Sequence, residues 1–111
     1  MTESIIDLKA FAELQATAGS DFVVELVDTF LEEAPQMLAE LRAAQATVSP
    51  DRFRRAAHSL KSNSLTFGAL RLGSLARELE LGGFTPDAAP VDALQTEYER
   101  AAAALKELNH G

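Results

Sequence analysis

Apolar residues recur every three or four positions along almost the whole chain, a spacing that places them on one face of an α-helix. Alanine and leucine dominate, β-branched residues are few, and most glycines and prolines fall between the periodic segments. The pattern predicts five helices. Their expected bounds are about Ser4–Ala18, Asp21–Thr47, Pro50–Phe67, Ala69–Leu81 and a last helix that starts at Thr85-Pro86 or at Pro90.

The ends of these helices carry residues with strong conformational preferences. Ser20 or Asp21 is expected to cap the second helix, and Ser49 the third, with a proline at its first helical position. Gly68 is expected to end the third helix in the left-handed conformation. Pro35 lies inside the second helix, and because the apolar phase continues across it, we expect a kink rather than two helices.

Four substantial helices with short connections, preceded by a short one, predict an all-α fold. The expected architecture is an antiparallel up-and-down four-helix bundle with an additional short N-terminal helix. One such domain accounts for residues 1–111, a length that supports a hydrophobic core without metals or disulfides. Because the helices bury their apolar stripes against one another, we expect a monomer.

The amino-acid composition excludes several classes of function. The chain has no cysteine, which removes disulfides, thiolate zinc sites and cysteine nucleophiles. Its net charge of −7 argues against sequence-independent binding of nucleic acid, which depends on neutralising phosphates. The sequence has no long apolar run and no basic leader, so we expect no membrane association and a cytoplasmic location. No metal-ligand spacing or ATP-binding pattern is apparent.

Charge is unevenly distributed along the chain. The segment from Asp51 to Arg77 has six basic residues and one acidic residue, whereas the remainder has four basic and sixteen acidic residues. We call the six basic residues the basic island: Arg52, Arg54, Arg55, Lys61, Arg71 and Arg77. His58 lies within this segment, and the other histidine of the chain, His110, is next to the last residue.

His58 is predicted to face solvent. At about 100° per residue it lies roughly 160° from Leu60 around the helix axis, which disfavours a buried histidine. Leu60 belongs to the apolar face of this helix, whose members follow steps of four and three residues: Phe53, Ala57, Leu60, Ser64 and Phe67.

The charged neighbours of His58 favour the attachment of a phosphoryl group to the ring over protonation of the ring. Arg54 and Arg55 lie one turn before it and Lys61 one turn after it, and three fixed cations oppose protonation of the ring. The same cations would neutralise the negative charge of a phosphoryl group attached to the ring. Ser62 is small and allows a partner to approach closely.

A surface for docking a partner is predicted beside this histidine. Leu65 lies about 20° from His58 around the helix axis and would be exposed on the same face. Ile6 and Phe11, at the edge of the first two helices, are the other candidates for docking.

The stretch AHSLKS at residues 57–62, followed by Gly68, leucines at positions 72, 75 and 79, and Glu80, resembles the signature of histidine-containing phosphotransfer (HPt) domains. The likeness extends over nearly the whole chain, including a long helix with a proline inside it. The resemblance implies that His58 is the phosphoacceptor, that Lys61 supports the phosphoryl group and that Gly68 forms the turn before the next helix.

The same resemblance implies a phosphoryl carrier rather than an enzyme. Such a domain accepts a phosphoryl group from the phospho-aspartate of one receiver domain and passes it to another, the receivers belonging to response regulators or hybrid histidine kinases. The Mg²⁺ ion is expected on the receiver, with no intrinsic cofactor or metal on this chain. Ser62 stands where glycine is more frequent, a change small enough that we expect no loss of activity. The phosphoryl-stabilising roles of Arg54 and Arg55 are inferred from helical geometry.

Two other interpretations remain open. A non-phosphorylated helical adaptor would bind and inhibit a receiver or another signalling protein while His58 stays unmodified. A general acid–base hydrolase would need a concave pocket and a second catalytic group beside His58.

Overall fold

The computed structural model describes residues 5–110, and the side chains of residues 5–109. The start expected for the first helix at Ser4 and the side chain of His110 lie outside this part. Within it the chain forms helices and no strand. The helices are α1 (Leu8–Ala18), α2 (Ser20–Ala46), α3 (Pro50–Thr66), α4 (Leu70–Gly82) and α5 (Ala88–His110).

The helix starts differ from the prediction by one to four residues, except for that of α3 at Pro50. α1 begins at Leu8, because Asp7 Oδ1 accepts hydrogen bonds from two backbone amides of the first turn, at 3.0 and 3.3 Å. α2 begins one residue earlier than expected, at Ser20, and Gly19 rather than Ser20 or Asp21 occupies the N-cap position.

The other helices follow the predicted pattern closely. α2 is one helix across Pro35, and α3 has Ser49 at its N-cap position, as expected. α5 begins between the two predicted positions, at Ala88. The cause is Asp87, whose carboxylate accepts a hydrogen bond from the amide of Ala89 at 3.1 Å.

The four long helices pack as the predicted bundle. Consecutive helices contact each other, and α5 packs against α2 to close the arrangement. α2 and α5 are antiparallel: Arg42 pairs with Asp92 at 3.0 Å, and towards the other end Asn109 donates to Asp28 at 3.2 Å. No described helix has both the length and the apolar character needed to cross a membrane. The largest fully buried side chains include Phe53, Leu38, Leu41, Leu60, Leu72, Leu94 and Leu105.

Gly68 joins three parts of the structure at one end of the bundle. Its φ of 79° is left-handed, as predicted for the residue that ends α3. Its carbonyl accepts a hydrogen bond from the amide of Asp7 at 2.8 Å, which attaches the start of α1 to the turn between α3 and α4. A Cβ atom on Gly68 would lie 2.8 Å from the carbonyl oxygen of Asp7 and 3.3 Å from Cβ of Ala10.

The docking roles predicted for Ile6 and Phe11 are wrong. Ile6 is fully buried and Phe11 is 4% exposed, and both belong to the same hydrophobic core as the four long helices. The physical reason is that α1 and the residues just before it pack onto the end of the bundle, where the hydrogen bond from Asp7 to Gly68 holds them. A partner therefore has no access to either side chain.

We expect Gly68→Ala to destabilise the fold more than Gly83→Ala. Gly83 has a similar φ of 84°, but a Cβ there meets nothing within 4 Å. Gly83→Ala should cost about 1–3 kcal/mol of backbone strain, because its φ of 84° and ψ of 179° belong to a region essentially restricted to glycine. Gly68→Ala should lose about 1–3 kcal/mol more through overpacking against α1. Urea unfolding followed by circular dichroism measures both. Equal losses for the two variants would show that the contact with Asp7 is not important.

Candidate functional site

His58 projects from the middle of α3 into solvent, as predicted. Its side chain is 55% exposed, whereas Ala57 and Leu60 are fully buried. Two nearby concave surfaces, the groove between α2 and α3 and the groove along the outer face of α4, are both lined by other residues. Neither groove surrounds His58 with the pocket that an acid–base hydrolase would require.

Glu80 on α4 connects His58 to Lys61. Its Oε2 lies 2.6 Å from Nδ1 of His58, and its Oε1 lies 2.8 Å from Nζ of Lys61. The Glu80 side chain is only 13% exposed, and that of Lys61 is 22% exposed. Lys61 is therefore one member of a three-residue cluster with Glu80 and His58.

The ionisation state of Glu80 determines which nitrogen of His58 is free. Hydrogen bonds from Lys61 and, secondarily, from His58 lower the pKa of Glu80. The carboxyl group is therefore ionised at neutral pH, and an ionised carboxylate can only accept hydrogen bonds. Nδ1 of His58 must carry the proton, so that in the neutral ring Nε2 has the unshared electron pair.

From the sequence, Glu80 was noted only as part of the family pattern, and its contact with His58 was not predicted. The available signal was the helical hairpin formed by α3 and α4. In two antiparallel helices joined by a short turn, residues equally far from the turn lie at equal height. His58 and Glu80 are each eleven residues from position 69, and Leu65 and Gly73 are each four residues from it.

Arg54 and Arg55 do not contact the ring of His58 in this structure. Arg54 pairs with Asp51 at 3.2 Å, and Arg55 pairs with the other oxygen of Asp51 at 3.3 Å. Both guanidinium groups are thus drawn towards the first turn of α3. The side chain that contacts His58 directly is a carboxylate, that of Glu80, and the phosphoryl-stabilising roles of Arg54 and Arg55 stay a prediction.

The remaining predicted site residues lie beside the histidine. Ser62 is exposed, and Leu65 is exposed on the same side of α3 as His58, as predicted. Leu65 lies against Gly73 of α4, where a Cβ atom would come within 2.5 Å of the leucine side chain. The absence of a side chain on Gly73 therefore lets Leu65 fold down towards α4.

We predict that Glu80→Ala changes the tautomer of His58. In the native protein, ¹H–¹⁵N spectra of the imidazole at about pH 8 should show a protonated Nδ1 and an unprotonated Nε2. The variant loses the acceptor that selects this form, so the Nε2-protonated tautomer should gain population. Glu78→Ala, which removes an exposed neighbouring carboxylate, is the control. An unchanged tautomer in Glu80→Ala would contradict the assignment.

Comparisons with known proteins agree with the sequence signature. The family model described as Hpt domain matches residues 25–104. The phosphorelay protein LuxU of Vibrio harveyi is 33% identical over 72 residues, which cover 65% of this chain and 63% of LuxU. The match thus spans somewhat less than two thirds of that relative, and no solved structure matches the chain significantly. On the strength of the family match, which covers most of the bundle, the chain belongs to the Hpt domain family.

Proposed function

We propose that this protein is a phosphotransfer component of a phosphorelay and that Nε2 of His58 carries the phosphoryl group. The observation that carries the proposal is the hydrogen bond between Nδ1 and Glu80, which leaves Nε2 as the nucleophilic nitrogen on an exposed ring. The membership of the Hpt family and the likeness to a phosphorelay protein support the same role.

The donor would be the phospho-aspartate of a receiver domain. The lone pair of Nε2 attacks phosphorus, a P–N bond forms, the P–O bond to the aspartate breaks and the aspartate leaves as a carboxylate. The ring becomes cationic in this step, and Glu80 stabilises that charge through its hydrogen bond to Nδ1. Transfer to the aspartate of a second receiver is the reverse of these bond changes.

Lys61 is the cation best placed to respond to the phosphoryl group. It is held beside the ring by Glu80, its side chain retains some exposure, and a lysine ammonium has three donors. It can therefore keep its contact with Glu80 while donating to a phosphoryl oxygen. Arg54 and Arg55 would contribute a weaker, longer-range field, because Asp51 already balances part of their charge.

The receiver would supply the rest of the reaction centre. Its acidic pocket would hold Mg²⁺, which stabilises charge on the transferring phosphoryl group. His58 stands on an exposed helix face, where a receiver can reach Nε2 without a rearrangement of the bundle. The chain thus contributes the nucleophile and its positioning groups, and the partner contributes the metal.

The proposal predicts that His58→Gln abolishes labelling by a phosphorylated receiver. Mixing the protein with receivers that carry ³²P on aspartate should give label that is stable in alkali and lost in acid, as expected of phosphohistidine. His110→Gln, which removes the other histidine of the chain, is the matched control and should be labelled normally. Label that persists in His58→Gln would contradict the proposal. A His58→Gln protein that still inhibits a partner would favour a non-phosphorylated adaptor.

Lys61→Gln should slow transfer while leaving the fold intact. Loss of one charged hydrogen bond to the phosphoryl group corresponds to a decrease of about 10- to 100-fold in the single-turnover rate. Lys106→Gln removes an exposed lysine on α5 and should transfer at the native rate. The thermal melt should remain cooperative in both variants. An unchanged rate in Lys61→Gln would exclude this role for Lys61.

A further inference from the structure

The Nε2 atom of His58 is turned away from α4. In an imidazole ring Nδ1 and Nε2 lie on opposite edges, so the N–H of Nδ1 and the lone pair of Nε2 point in nearly opposite directions. Nδ1 lies 2.6 Å from the carboxylate of Glu80 on α4, which turns the Nε2 edge towards the other side of α3. A phosphoryl group bonded to Nε2 would therefore extend outwards on that other side.

Ser62 lies on the Nε2 side of α3, one helical turn after His58. At about 100° per residue it is rotated by roughly 40° from His58 around the helix axis. Lys61, which contacts Glu80, is rotated by roughly 60° in the opposite direction. Side chains in a helix lean towards its N-terminus, so the hydroxyl of Ser62 leans back towards the histidine. Lys61 and Ser62 thus flank the ring on its two sides.

Ser62 is exposed, and its hydroxyl has no hydrogen-bond partner among residues 5–109. A serine or threonine within a helix commonly donates to the backbone carbonyl four residues earlier. Three other polar side chains in this half of α3 do so: Asn63 at 2.8 Å, Ser64 at 2.6 Å and Thr66 at 2.9 Å. Ser62 does not make this contact, so its hydroxyl proton is available to a group on the solvent side of α3.

The cations near the ring are paired with carboxylates that lie away from Nε2. Arg55 is on the Nε2 side, roughly 60° around the axis from the histidine, but its guanidinium pairs with Asp51 at 3.3 Å. Lys61 pairs with Glu80 on the α4 side at 2.8 Å. The terminal oxygens of a phosphoryl group point in different directions, so a lysine on one side cannot reach all of them. The hydroxyl of Ser62 supplies a donor on the other side.

We propose that the hydroxyl of Ser62 donates a hydrogen bond to the phosphoryl group on His58 and thereby prolongs the lifetime of the phosphorylated protein. This inference rests on the proposed function, since it concerns the phosphoryl group carried by Nε2. Ser62 forms and breaks no covalent bond. Its role is to preserve the phosphorylated state until the next partner arrives, in addition to leaving room for that partner.

The direction of the effect follows from the charge on the phosphoryl group during hydrolysis. Water attacks phosphorus, the P–N bond breaks with its electron pair returning to Nε2, and inorganic phosphate leaves. In a loose transition state the P–N bond is largely broken, so the phosphoryl group carries less negative charge than it does when bound to the ring. A donor to its oxygens therefore stabilises the bound group more than the transition state and slows hydrolysis.

The test measures the decay of the phosphorylated protein without any partner. Zwitterionic phosphoramidate phosphorylates Nε2, with cleavage of its own P–N bond and release of ammonia, and the reagent is then removed. At about pH 8, ³¹P spectra should show that Ser62→Ala loses its phosphoryl group about 3- to 10-fold faster than the native protein, the effect of one hydrogen bond. Ser62→Thr keeps a hydroxyl and should restore most of the native lifetime.

Ser59→Ala is the matched control. Ser59 is also exposed and is adjacent to His58, but it lies about 100° around the axis, on the wall of the groove between α2 and α3. Its removal should leave the lifetime unchanged. A larger effect of Ser59→Ala than of Ser62→Ala would contradict the role of Ser62. A changed His58 tautomer in unphosphorylated Ser62→Ala would also contradict it, because the effect would then act through Glu80.

The outcomes separate this inference from the proposed function. If the native protein forms Nε2-phosphohistidine and Ser62→Ala decays at the native rate, the role of Ser62 is overturned and the proposed function stands. If neither phosphoramidate nor any phosphorylated receiver labels His58, both proposals are overturned. Label on Nδ1 instead of Nε2 would likewise overturn both, because the phosphoryl group would then occupy the position of the hydrogen bond to Glu80.

Discussion

The left-handed turn at Gly68 is the constraint on which the arrangement of the site depends. It reverses the chain between α3 and α4 so that residues equally distant from position 69 face each other, which places Glu80 beside His58 and Gly73 beneath Leu65. The carbonyl of Gly68 also accepts a hydrogen bond from the amide of Asp7. The position of α1 at the end of the bundle and the register of the α3–α4 hairpin therefore both depend on this residue. A side chain at position 68 would disturb both the packing of α1 on the core and the geometry around His58.

Charge around His58 is balanced before any phosphoryl group arrives. Glu80 offsets Lys61, and Asp51 offsets part of the charge of Arg54 and Arg55. Because the folded state lowers the pKa of Glu80 below 4.5, its pairing stabilises the fold above that pH and is lost as the pH falls through the lowered value. Glu80 therefore stays ionised throughout the neutral range. The ring is oriented under the conditions in which it has to react, and a phosphoryl group enters surroundings that are already nearly neutral.

Local periodicity was sufficient to predict most of the fold and the exposed position of His58. The buried face of α3 and the unbroken course of α2 follow directly from steps of three and four residues. Side-chain contacts between different helices were harder to predict from the sequence. The cations evident from the sequence lie one turn from His58 along its own helix, whereas the contacting side chain, Glu80, comes from the next helix. Ile6 and Phe11 were misassigned for a related reason, since the packing of α1 against the end of the bundle depends on tertiary contact and not on the pattern of α1 itself.

The site divides into a positioning half and a contact half. Glu80 and Lys61 lie between α3 and α4, where the packed hairpin holds them, and the ring of His58 and the side chain of Leu65 face outwards. A convex surface of this kind suits a carrier that must meet two successive partners, because a deep pocket shaped around one receiver would restrict access by the other. The outward residues contribute little to the core, so substitutions there can alter the choice of partner with small effects on stability. Substitutions at Glu80 or Gly68 would instead change the tautomer or the position of the His58 ring, and would therefore affect transfer with every partner.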